Sequence, residues 1–135
     1  MRSLLALVAD PDPAHREMLA ASLRGGGFLV VTSVAEEDLL RAARDRSPDL
    51  ILLDTRFAGD GWRIVEILGG EAATCEIPVI AVSGDDLLAD PERLWNSGFC
   101  GYLKKPVASG SLVAAVRFCL TQTNHGADWV DLSSF

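Results

Sequence analysis

The sequence predicts an α/β domain, a doubly wound sheet of five parallel strands in the order 2-1-3-4-5 built from five βα units. Short aliphatic runs recur at LLALVA (4–9), FLVV (28–31), LILL (50–53), IPVIAV (77–82) and a weaker GYL (101–103). None alternates polar and apolar residues. Continuous runs of this length mark strands buried on both faces, the condition of parallel strands. Helical patterns separate the runs, and right-handed crossovers then leave few arrangements other than helices on both faces of one sheet. A length of 135 residues, with 49% apolar but only 7% aromatic residues, suits one domain with an aliphatic core.

Each helix carries its own signals. From Pro13 to Arg24, Met18, Leu19 and Leu23 share a face, and Gly25-Gly26-Gly27 supplies a stop. Ser33-Val34-Ala35-Glu36 has the Ser-x-x-Glu form of a capping box, opening a helix to about Ser47 with Pro48 beyond it. A shorter helix runs from Trp62 to Leu68 and ends at Gly69-Gly70. Pro91 stands near the start of another, through Leu94 and Trp95 to Gly98, and Ser109 to about Thr121 forms the last. The domain therefore spans 1–121, with 122–135 as a C-terminal tail or linker.

Composition narrows the classes of function. Twelve Lys and Arg against nineteen Asp and Glu leave a net charge of -7, which opposes non-specific binding to nucleic acid, so proteins or cations are the expected partners. No apolar run approaches the length needed to span a bilayer, and the expectation is a soluble cytoplasmic protein without membrane contact. Cys75, Cys100 and Cys119 form no CxxC pair and are expected as small buried hydrophobes rather than disulfides or zinc ligands.

In doubly wound sheets, ligands bind beyond the carboxyl ends of the strands, where the strand order reverses. Asp10 and Asp12 follow the first strand, Asp54 ends the third, Ser83 and Gly84 follow the fourth, and Lys104, Lys105 and Pro106 follow the fifth. In the order 2-1-3-4-5 the first and third strands are neighbours, so Asp10 and Asp54 face each other across the crevice. Three acids, a hydroxyl and an ammonium on one rim suit a hard cation and a phosphoryl group.

On these residues the chain resembles a response-regulator receiver domain of two-component signalling, over about residues 3 to 121. PDLILLD (48–54) is similar to the family's third strand ending in the phosphoacceptor aspartate, and IPVIAVSG (77–84) to the fourth strand ending in Ser or Thr. GYLKKP (101–106) is similar to the fifth strand with its switch aromatic and Lys-Pro, and PAHREML to the opening of the first helix. The resemblance implies a flavodoxin-like fold and a phosphorelay in which Asp54 accepts a phosphoryl group from the phosphohistidine of a kinase or phosphotransfer protein. It implies Mg²⁺ held by acids of the first loop, with Asp54 and a backbone carbonyl in the loop of Arg56. It further implies Ser83 and Lys105 on the phosphoryl oxygens, and Tyr102 moving inward as the surface of the last helices changes. A downstream protein reads that change, and homodimers through the fourth helix, fifth strand and fifth helix are common in the family, where Leu94, Trp95 and Val113 are the residues to inspect.

The physics of the transfer agrees with this set. Charge spreads over the transferring oxygens, so the protein must chiefly align and neutralise. Lys105 supplies a compact positive charge and Ser83 a hydroxyl donor. Mg²⁺ asks for near-octahedral oxygen ligands, commonly one or two carboxylates.

Two departures from the family pattern stand out. The family's first acidic pair falls on Asp10 and Pro11, and Pro11 has no side-chain ligand to offer. Asp12 replaces it only if the loop bulges by one residue; the competing reading makes Asp12 the N-cap, with Pro13 at the first helical position. The run DTRFAGDG (54–61) is one residue shorter than usual before its glycine, and Ala58 stands where proline is common. The Arg56 guanidinium is expected to neutralise the pocket by pairing with Asp10 or Asp54. His15 and His125 are read as surface residues, and the Lys105-Pro106 bond as a candidate for the cis form.

The tail carries Trp129, Val130, Leu132 and Phe135 among acids, which act as anchors on a partner or on the domain itself, or belong to a linker. A phosphorylation-independent pseudo-receiver is the alternative to the phosphorylated switch. An α/β enzyme or flavin carrier is disfavoured, because no Gly-x-Gly-x-x-Gly, Walker motif or nucleophile elbow occurs.

Overall fold

The computed structural model describes residues 3–122, 130–133 and 135. The helices and strands alternate as β1 (Leu5–Ala9), α1 (Pro13–Gly25), β2 (Leu29–Ser33), α2 (Glu36–Arg46), β3 (Leu50–Asp54), α3 (Gly61–Gly70), β4 (Val79–Ser83), α4 (Pro91–Trp95), β5 (Gly101–Lys104) and α5 (Ser109–Gln122). A short β6 (Val130–Asp131) follows. All strand pairs are parallel, in the order β2-β1-β3-β4-β5-β6. The five strands and their 2-1-3-4-5 order are those the sequence predicts.

The strand pleat explains why the aliphatic runs are continuous. Leu7, Ala9, Ile51, Leu53, Val79 and Ala81 point to a face covered by α2, α3 and α4 through Leu39, Ala43, Ile64, Leu68 and Leu94. Their chain neighbours Ala6, Val8, Leu50, Leu52, Ile80 and Val82 point to the other face, covered by α1 and α5 through Leu19, Leu23, Leu112 and Val116. Each face is buried, so both parities must be apolar.

Four local expectations need correction. Ser33 does not cap α2: it is buried at the end of β2, paired with Ala9, and the N-cap is Ala35, which makes no side-chain cap bond. Strand pairing competes for Ser33 and wins, while Glu36, Glu37 and Asp38 in the first turn stabilise the helix through its dipole. Gly69 and Gly70 continue α3 instead of stopping before it ends, and α4 is only five residues long, ending at Trp95. Of the cysteines, only Cys119 is fully buried; Cys100 is half-buried and Cys75 exposed.

The tail adds an element that periodicity did not indicate. Gly101 and Tyr102 pair with Val130 and Asp131, the Leu132 N–H donates to the Tyr102 carbonyl at 2.8 Å, and the Lys104 N–H donates to Ser133 Oγ at 3.1 Å. Leu132 is buried in the α1/α5-side core, and Phe135 lies against Phe118 with ring centroids 5.1 Å apart. His125 and Trp129 lie outside the described residues.

Candidate functional site

Asp10 leaves β1 and Asp54 ends β3, two adjacent strands, and both carboxylates are almost fully buried. What makes that burial tolerable is Lys105, just beyond β5. Its Nζ lies 2.6 Å from Asp54 Oδ2 and 3.2 Å from both carboxylate oxygens of Asp10. Burial works against the Lys105 charge, but the hydrogen bond and charge of Asp54, followed by those of Asp10, outweigh it and hold its pKa above the ordinary lysine value. The Lys105-Pro106 peptide is cis.

Backbone amides complete the acids' coordination. The Asp12 N–H donates to Asp10 Oδ1 at 2.9 Å, and the Arg56 N–H to Asp54 Oδ1 at 2.7 Å. Asp12 itself is exposed and caps α1, its carboxylate accepting from the Ala14 N–H at 3.0 Å. The Arg56 guanidinium turns away from the pocket to Asp85, 3.0 Å distant, rather than to Asp10 or Asp54, and the Arg56 carbonyl accepts from the Gly59 N–H. The loop explains this. Ala58 has φ 53°, a left-handed conformation that proline cannot adopt, so a chain with alanine here follows another course. Gly61 closes the loop against the site: a Cβ there would lie 2.3 Å from the Asp54 carbonyl oxygen.

Ser83 ends β4 with its hydroxyl buried. It accepts from Thr55 Oγ1 at 2.9 Å and from the Asp85 N–H at 3.1 Å, which leaves its own proton to donate. Tyr102 is buried, and its hydroxyl donates to the Asp85 carbonyl at 2.8 Å. Burial pushes the Tyr102 phenol up from its usual value.

His15 is the residue that sequence reasoning placed wrongly. Far from being a surface residue, its side chain is 12% exposed, with Nδ1 2.5 Å from Asp10 Oδ2. A carboxylate can only accept, so Nδ1 carries the hydrogen. The cause is geometric: with Asp12 as N-cap, His15 is the third helical residue, and helical side chains lean towards the N-terminus, here towards the end of β1. Thr55, the partner of Ser83, was likewise missed; its place directly after Asp54 was the available signal.

Mg²⁺ does not fit the donors present. Among the described residues no three His, Cys, Asp or Glu side chains are grouped to hold a metal ion. Pro11 has no ligand to offer, Asp12 is turned into its cap, and Lys105 stands between the two buried carboxylates.

A doubly wound sheet whose carboxyl rim brings two buried aspartates, a lysine and a hydroxyl together defines a phosphoryl-handling signalling domain rather than a nucleotide-binding one. The chain belongs to the response regulator receiver domain family, whose model matches residues 6–117. Among curated relatives, the DNA-binding response regulator MtrA of Mycolicibacterium smegmatis is 33% identical over 112 residues, 82% of this chain and 48% of that protein. The phosphate regulon regulator PhoB of Klebsiella pneumoniae is 30% identical over 112 residues, 82% of this chain and 49% of that protein. The chain thus spans about half the length of these relatives. Two solved structures share the fold. One is the chemotaxis response regulator CheY4 of Vibrio cholerae, with TM-score 0.81 at 18% identity, covering 87% of this chain and 99% of that one. The other is the receiver domain of the sensor histidine kinase PA1611 of Pseudomonas aeruginosa, with TM-score 0.78 at 23% identity, covering 89% and 99%, and with magnesium coordinated in its cleft.

Proposed function

We propose that this receiver domain is a phosphorelay module in which Asp54 accepts a phosphoryl group from the phosphohistidine of a partner histidine kinase or phosphotransfer protein. The observation that carries this reading is the 2.6 Å contact between Lys105 Nζ and Asp54 Oδ2 at the carboxyl end of β3. In the transfer a carboxylate oxygen of Asp54 attacks phosphorus in line with the leaving imidazole nitrogen. The P–O bond forms as the P–N bond breaks, and the departing ring takes up a proton from water. Lys105 and the free Ser83 proton meet the charge that spreads over the three remaining oxygens.

The output is a protein contact in the cytoplasm, not a nucleic-acid one, in keeping with the net charge of -7. No helix among the described residues is long and apolar enough to cross a membrane. Added charge at Asp54 would draw Lys105 and Ser83 towards the phosphoryl oxygens and disturb the Ser83 to Asp85 to Tyr102 chain of hydrogen bonds, carrying the change towards α4 and β5. Of the three residues considered for a homodimer, Trp95 is exposed, Leu94 is buried, and Val113 packs in the α1/α5-side core.

Intact mass after incubation with a small phosphodonor, alongside Asp54→Asn, tests the reading. A gain of one phosphoryl group that Asp54→Asn abolishes supports it. No gain with small donors or with kinases would leave the second reading, a phosphorylation-independent pseudo-receiver held in one state. That reading is favoured by Tyr102, which is already buried and hydrogen-bonded without any phosphoryl group.

A further inference from the structure

The acid pocket contains a histidine where the receiver pattern has none, and lacks an acid where the pattern has one. Asp10 keeps its place at the end of β1, but Pro11 follows it and is exposed. The oxygen Asp10 Oδ2 is taken by His15 Nδ1 at 2.5 Å, and Oδ1 by the Asp12 N–H at 2.9 Å. Lys105 Nζ touches both Asp10 oxygens at 3.2 Å and Asp54 Oδ2 at 2.6 Å. Asp54 Oδ1 is held by the Arg56 N–H.

We propose that His15 and Lys105 together stand in for the divalent cation, so that this receiver's acid pocket is complete without a metal ion. Each of the four carboxylate oxygens accepts a hydrogen bond or ion pair from the chain itself. A cation entering between Asp10 and Asp54 must displace the Lys105 ammonium and strip His15 from Asp10, and Pro11 offers no side-chain oxygen in return. Mg²⁺ is particularly ill placed to compete, because it gives up hydration water reluctantly and demands near-octahedral geometry.

The role of His15 is positional. It is anchored to Asp10 through Nδ1, while its buried Nε2 has no hydrogen-bond partner among the described residues. A ring held at one end only, against a carboxylate, is there for that carboxylate: it fixes the Asp10 side chain and removes one oxygen from metal coordination. Arg16 adds to the clamp by donating from Nη1 to the Asp10 carbonyl at 2.9 Å. The Asp10-Pro11 pair and His15 belong to one short loop and helix start, so the lost ligand and its replacement lie within six residues of chain.

This inference rests on the receiver reading for the ion expected in the pocket, but its test needs no phosphoryl transfer. Manganous ion, a paramagnetic substitute for magnesium, is titrated into the full chain while backbone amide signals are followed. Exposed acids such as Glu37 and Asp38 give the non-specific background. In the native chain the amides of Ala9, Asp54 and Thr55 should broaden no more than that background. In Pro11→Asp, a change at an exposed position that leaves the fold intact, they should broaden selectively. Adding His15→Ala should lower the manganese needed by about tenfold, the effect expected of a group that orients a ligand. His15→Gln serves if the alanine variant does not give a folded spectrum, and it should lie between the two. Selective broadening in the native chain that disappears in Asp54→Asn would overturn the proposal. So would a Pro11→Asp variant that gains none, or a His15 change without effect on that gain. A failure to accept phosphate would instead count against Asp54 as acceptor and leave these outcomes readable.

Discussion

Lys105 carries the largest local responsibility. Two carboxylates, 1% and 4% exposed, depend on one ammonium, and removing one partner of a buried ion cluster leaves uncompensated charge. Lys105→Met should therefore lower the free energy of unfolding by about 3 kcal/mol, read from urea titrations. Adding Asp54→Asn should recover part of that loss by relieving like-charge repulsion; an unchanged or larger loss would contradict the account. Lys105 and Tyr102 both have folded-state pKa values raised above their ordinary ones, so the folded protein holds their protons more tightly than the unfolded chain. Their contribution is fully present below the unfolded values near 10, and is lost as pH rises through the folded values. Stability should fall on alkaline titration from about pH 10 upward, with a smaller fall in Tyr102→Phe. Gly61 is a residue whose constraint is purely steric. Gly61→Ala would bring a methyl to 2.3 Å from the Asp54 carbonyl oxygen, and should cost about 2 kcal/mol while shifting the Asp54 and Thr55 amide resonances.

Elements show where local signals and tertiary pairing part company. The Ser33 capping signal was real as a pattern, but β2 extends far enough along β1 to claim the residue. β6 shows the opposite case, a two-residue strand too short to carry periodicity, whose position depends on the free edge of β5. An open parallel edge is a template for pairing with another chain, and the tail covers it. Leu132→Asp should release it at a cost of about 2 kcal/mol, the worth of burying one leucine. Hydrogen exchange should then quicken at the Lys104 and Leu132 amides but not in α1, and the bared β5 edge should raise self-association in sedimentation. Unchanged exchange at Lys104 would mean that the tail does not protect that edge.

At the scale of the whole molecule, two apolar layers sandwich the sheet while its carboxyl rim gathers the charged groups. The net charge of -7 makes the compact state self-repelling. Raising salt from about 10 to 150 mM shortens the screening length from about 30 to 8 Å, and the thermal midpoint should rise. A fall would mean that surface pairs such as Arg44 with Glu71 outweigh the repulsion.

The sequence by itself determined the fold class, the strand order and the rim on which Asp10, Asp54, Ser83 and Lys105 meet. Those depend on which strands are buried on both faces, and hydrophobic runs record that directly. Tertiary structure alone decided that His15 joins Asp10, that Arg56 turns to Asp85, and that the tail extends the sheet. The reason is physical. Periodicity says which face of an element is apolar, whereas the partner of a polar side chain depends on loop course and helix register. Here a left-handed Ala58, a proline after Asp10 and one turn of α1 set both.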